Sequence, residues 1–198
     1  MTRDCPAHER SAPRDSVREF SDTLLAVAGA AIDHGLATDG PPAVDAADYA
    51  EPLRAPRATF VTLHGHAGLR GCIGTVDPAR PLVEDVAANA YAAAFRDPRF
   101  PPLVSHERLE LQLSIEILTP FEQLAFASEA DLLSRIVPGR DGLLVEAGPY
   151  RATFLPVVWD TIPEPAEFWA QLKRKAGIPA DMPSTVLEVH RYRTETLT

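Results

Sequence analysis

The chain has 198 residues, 45% of them hydrophobic and 24% charged, which are the proportions of an ordinary globular protein and exclude a disordered or fibrous one. With 28 acidic against 19 basic residues the net charge is −9, so the summed field repels polyanions and generic nucleic-acid binding is disfavoured. Cys5 and Cys72 form neither a CxxC pair nor a zinc pattern, and no signal-like leader or long apolar run is present, so the expectation is a reduced cytoplasmic protein with no metal and no membrane segment.

Residues 1–15 mix charges and prolines without an apolar core and are expected to be a flexible leader, with a single domain over 16–198. Ser16 and Glu19 have the spacing of a capping box. Val17, Phe20, Leu24, Ala28 and Ile32 then recur at helical spacing, with Gly35 as the expected stop. Residues 38–56 lack a period and read as a wrapping loop. Strands over 58–64 and 69–76 flank a glycine-rich turn at His64–Gly68, a hairpin. The His64/His66 pair has metal-ligand spacing but no third partner in the sequence, so a turn is the simpler reading.

The second strand of this hairpin carries Leu69-Arg70-Gly71-Cys72-Ile73-Gly74-Thr75. Gly71 and Gly74 remove side chains on either side of the thiol, so that another backbone or a ligand can approach closely there. Arg70 and Cys72 are two apart, which in a strand puts them on one face. A fixed cation beside a thiol raises its thiolate fraction. A lone cysteine in an apolar strand is also a common small core residue, so the residues leave both roles open.

Leu82, Val86, Ala90 and Ala94 predict a helix begun by Pro81 and ending near Phe95. Asp97-Pro98-Arg99-Phe100-Pro101-Pro102 follows, a segment whose prolines exclude helix and stiffen the chain. Arg99 is thereby presented either to an anionic ligand, with Asp97 orienting it, or to Asp97 alone as a loop fastener. Strict alternation over 109–117 predicts a strand with Glu110 and Glu116 on a solvated polar face. Ser128 and Asp131 start a short helix to Ile136, and 142–147 and 150–155 flank Gly148-Pro149 as a second hairpin. A helix runs from the prolines at 163 and 165 to Gly177, its last turn basic (Lys173, Arg174, Lys175) either as its dipole favours or as a small docking patch, and 185–192 form the final strand. Helices interleaved with hairpins give an α+β fold with a mainly antiparallel sheet.

LRGCIGT, Asp97–Pro102, Phe154-Leu155-Pro156, Lys175-Ala176-Gly177 and Arg191-Tyr192-Arg193 together resemble, in matching order over about residues 16–193, the AMMECR family, also known as protein A of the AmmeMemoRadiSam grouping. The resemblance implies a compact two-lobed domain with flanking helices and a cleft between the lobes, approached by the Arg70/Cys72 strand and the 97–102 loop. It implies partners as well, since members are often encoded beside a Memo-like protein and a radical-SAM protein. The family carries no established reaction. Its frequent cysteine before Lys-Ala-Gly is replaced here by Lys173-Arg174, so a two-cysteine site is not expected.

No GxGxxG, GxxxxGK[ST] or GxSxG motif occurs, and no cofactor is expected. The functional expectation is an enzyme or enzyme subunit of a modification pathway. In it Cys72 and Arg70 are the candidate catalytic residues, and Gly71, Gly74, Asp97 and Arg99 bind a small anionic substrate. The alternative is a non-catalytic adaptor that docks a partner protein in the same cleft.

Overall fold

Val17–Phe20 form a 3-10 turn that leads into helix α1 (Ser21–Thr38), whose buried Leu24, Ala28 and Ile32 keep the spacing read in the sequence. The computed structural model describes residues 17–38 and 40–198; the expected leader, Cys5 and Ser16 of the capping box lie outside them. Helix α1 does not stop at Gly35. A β-carbon there would lie 2.3 Å from the Phe95 ring, so this glycine serves close helix packing rather than termination. The expected wrapping loop contains a 3-10 turn capped by Asp45 and the single turn α2 (Glu51–Arg54).

Strands β1 (Thr59–Gly65) and β2 (Gly68–Gly74) form the expected hairpin, and α3 (Leu82–Phe95) packs across it with Pro81 as its N-cap residue. The strand expected over 109–117 is shorter and later. Ser105–Glu110 form a 3-10 turn that leaves Leu109 95% exposed, and β3 spans Gln112–Leu118. Glu110 and Glu116 therefore do not share a strand face. Glu116 is part-covered, and burial raises its pKa.

The chain then builds β4 (Glu122–Gln123), α4 (Glu129–Arg135), β5 (Gly142–Ala147), β6 (Tyr150–Phe154), α5 (Pro165–Ala176), β7 (Glu188–Tyr192) and β8 (Thr194–Leu197). Ser128 caps α4 by accepting from the Asp131 N–H, Gly148 takes φ +58° in the β5–β6 turn, and Gly177 ends α5 at φ +75°. Two four-stranded antiparallel sheets result, β2-β1-β3-β8 and β4-β7-β5-β6.

Each sheet has its own core. The first is covered by α1 and α3 through Leu24, Ile32, Val86 and Ala90. The second is built on Trp159, Phe168, Trp169 and Leu172, with Trp159 stacked on Phe168 at 3.7 Å. A small third cluster of Ala58, Leu118, Leu144 and Tyr192, flanked by Phe60, Phe121 and Leu155, joins the lobes. The backbone passes between sheets at 119–121 and returns at Arg193, and these passages are bonded to each other. Thr119 N–H donates to Arg193 O at 2.8 Å, and Arg193 N–H donates to the Thr119 hydroxyl at 2.9 Å.

Candidate functional site

Strands β2 and β6 each lie at one edge of their sheet, and between them runs a groove of about 520 Å³. Its polar lining is Cys72, Asp97, Arg99, Thr153 and Lys175; Phe60, Ile73, Phe154, Leu155 and Val158 supply most of the apolar wall. A wider hollow of about 700 Å³ runs along α1 past His34 and Tyr49. Among the described residues its lining includes no thiol and one side chain, His34, able to carry positive charge, so chemistry rather than volume selects the groove.

Cys72 is a free, part-exposed thiol whose sulfur accepts from the Thr62 hydroxyl at 3.3 Å across the hairpin. Its backbone faces outward, and the loop after α3 closes it. Asp97 Oδ2 accepts from the Cys72 N–H at 2.9 Å, while Arg99 Nη2 donates to the Cys72 carbonyl at 3.1 Å. The pair acts as a substitute for the missing next strand at a sheet edge. The Arg99 Nε and Nη2 bond Asp97 at 2.9 and 2.6 Å, and the Arg99 N–H adds a third bond at 3.1 Å. Asp97 is 2% exposed because these partners sheathe it. Arg99 above all, helped by the Cys72 and Arg99 amides, holds its carboxyl well below the usual range although burial opposes this.

Arg99 is itself 53% exposed, and its pKa is raised by Asp97 first and also by the neighbouring Cys72 side chain. It therefore occupies the position beside the thiol that spacing alone suggested for Arg70. A bulge explains the exchange: Leu63 pairs with Gly71 and His64 with Leu69, so Arg70 has no opposite residue and the two-residue alternation is broken there. Its guanidinium turns to Glu107 at 2.6 and 3.0 Å and lines a separate hollow with His66 and Leu111.

Both motif glycines meet protein. A β-carbon on Gly71 would lie 2.1 Å from the Ala93 carbonyl oxygen of α3, and one on Gly74 would lie 2.3 Å from the Phe60 ring. Thr75 has a structural tie of its own, donating at 2.8 Å to Asp85. That fully buried carboxylate also accepts from Thr59, Asn89 and Arg80, a network with no local sequence signature beyond the Asp85/Asn89 spacing on one helix face. Among the described residues no group of three metal-ligating side chains forms, and no helix is long and apolar enough to cross a membrane.

Lys175 is the groove residue that the sequence assigned to the α5 dipole instead. Its ammonium donates to the Thr153 carbonyl at 2.9 Å and stands 5.1 Å from the centre of the Phe154 ring. The side chain remains solvent-accessible, yet protein crowds its tip, and this loss of hydration lowers its pKa.

Two antiparallel sheets, separate cores and a thiol-bearing groove between edge strands define a two-lobed α+β protein. The AMMECR1 family model matches residues 25–197, and the chain belongs to that family. A protein of Methanocaldococcus jannaschii is 40% identical over 141 residues, covering 68% of each chain. One from Pyrococcus furiosus is 37% identical over 173 residues, 82% of this chain and 80% of that one. The crystal structure of an uncharacterized Pyrococcus horikoshii protein superposes with a TM-score of 0.80 at 33% identity, over 90% of both chains. These relatives establish family and fold.

Proposed function

We propose that the groove binds a small anionic ligand between Arg99 and Lys175 and exposes it to the Cys72 thiol, making the protein an enzyme or enzyme subunit of a modification pathway. The observation that carries this reading is the convergence of one thiol and two cations, drawn from opposite lobes, on a single groove. Asp97 spends the Nε and Nη2 edge of Arg99 and leaves Nη1 available to an anion. In this reading a Memo-like protein and a radical-SAM protein are the partners, on the strength of the family resemblance alone, and the setting is the cytoplasm.

The adaptor reading draws on the two edge strands, which flank the groove as an extended peptide would require. Side chains already occupy the Cys72 N–H and carbonyl and the Thr153 carbonyl, however, which leaves less backbone for strand addition than for recognition by charged groups. Equilibrium titration with inorganic phosphate and small carboxylates tests the first reading. Arg99→Ala is expected to weaken at least one of these anions fivefold or more, and unchanged affinity for all of them would remove the anion site.

A further inference from the structure

The groove holds an amine as well as a thiol, and the chain's two lysines are used differently. Lys173 is committed: its ammonium bonds Glu129 at 2.9 Å and lies over the Trp169 ring. Lys175, two residues on, points into the groove. There it meets a backbone carbonyl and an aromatic face, and among the described residues no carboxylate is within ion-pair distance of it. Loss of hydration, with no compensating anion, shifts such an amine toward its neutral form, and only the neutral form carries the lone pair of a nucleophile. Across the same groove Arg99, 53% exposed, keeps its Nη1 for a carboxylate, since Nε and Nη2 are bonded to Asp97 and the Cys72 carbonyl.

We propose that Lys175 is a carbonyl-directed nucleophile and that the ligand is an oxo acid, its carboxylate paired with Arg99 and its ketone or aldehyde carbon presented to Lys175 Nζ. The Nζ lone pair adds to the carbonyl carbon, the C=O π pair moves to oxygen, and a carbinolamine forms. Loss of that oxygen as water, with both hydrogens supplied by the amine, leaves a C=N bond to Lys175. One amine and one carbonyl give one imine and one water, and no oxidant or reductant is required. The Phe154 ring and the apolar wall line the groove beside this bond. The inference rests on the anion-binding reading above and adds the ligand's chemical class.

The test is reductive trapping on the full-length protein with pyruvate or levulinate and cyanoborohydride, followed by peptide mass mapping. Lys175 is expected to carry the adduct at least tenfold more than Lys173, which serves as the internal control. Arg99→Ala is expected to cut trapping of the oxo acid several-fold while leaving trapping of uncharged propanal unchanged. Lys175→Arg keeps the cation and is expected to abolish the adduct with its thermal transition intact. Equal modification of both lysines, or none of Lys175, with phosphate or carboxylate affinity still dependent on Arg99, would overturn the imine alone. Trapping that ignores Arg99, together with anion affinity that ignores it, would overturn both the oxo-acid assignment and the anion site.

Discussion

Gly71 of β2 lies directly against Ala93 of α3: a β-carbon on the glycine would sit 2.1 Å from the alanine carbonyl oxygen. Strand and helix touch backbone to backbone, which fixes the height of the Cys72 strand above its core. Gly71→Ala is therefore expected to lose about 1–3 kcal/mol, the usual range for overpacking, with the loss at the upper end because the obstacle is main chain. Denaturant unfolding would measure it, and a neutral result would mean that α3 moves away at little cost.

Asp97 ties Cys72 to Arg99 through one carboxylate, so its removal is expected to disturb both. Its folded pKa lies below its unfolded value of about 3.9. The associated stability is thus present above that value and is withdrawn as pH falls from about 4 toward the folded pKa. Melting curves between pH 6 and 3 are expected to show a steeper acid decline for the native chain than for Asp97→Asn. The variant should also lose the Arg99-dependent part of anion binding.

Glu116 has the opposite sign. Burial raises its folded pKa, so the ionised form is penalised in the folded state and stability is lost as pH rises through that pKa. Glu116→Gln is expected to raise the melting temperature at pH 7 to 8 and to change it little near pH 4. A uniform shift at both pH values would point to packing rather than ionisation.

Cys72 separates the enzymatic and adaptor readings. In a Cys5→Ala background, iodoacetamide is expected to alkylate Cys72 in the folded protein, and Arg99→Ala to change the rate more than Arg70→Ala, since Arg99 bonds the Cys72 carbonyl while Arg70 is turned to Glu107. Reaction only after denaturation would make the thiol a core group. Cys72→Ala is expected to cost roughly 1 kcal/mol in stability.

Asp85 accepts from Thr59, Thr75, Asn89 and Arg80 while 1% exposed. Asp85→Ala leaves those donors without a partner and is expected to cost about 3 kcal/mol or more. Guanidinium unfolding checks this, and a loss below about 1 kcal/mol would show that water replaces the carboxylate.

Much of the fold was legible from residues alone, because the signals are local. Helical spacing marked α1, α3 and α5, turn glycines marked both hairpins, and Ser128 marked the start of α4. The alternation over 109–117 misled at its start because Leu109 has no core to face, and periodicity does not reveal which apolar residues find one. The sequence by itself determined the family, the α+β class and the place of Cys72 in a glycine-flanked strand. Tertiary structure alone decided that Arg99 rather than Arg70 stands beside the thiol and that Lys175 crosses from the other lobe to face it. The physical reason is that a single bulge reorients one side chain, and the groove joins residues more than a hundred positions apart that no local pattern connects.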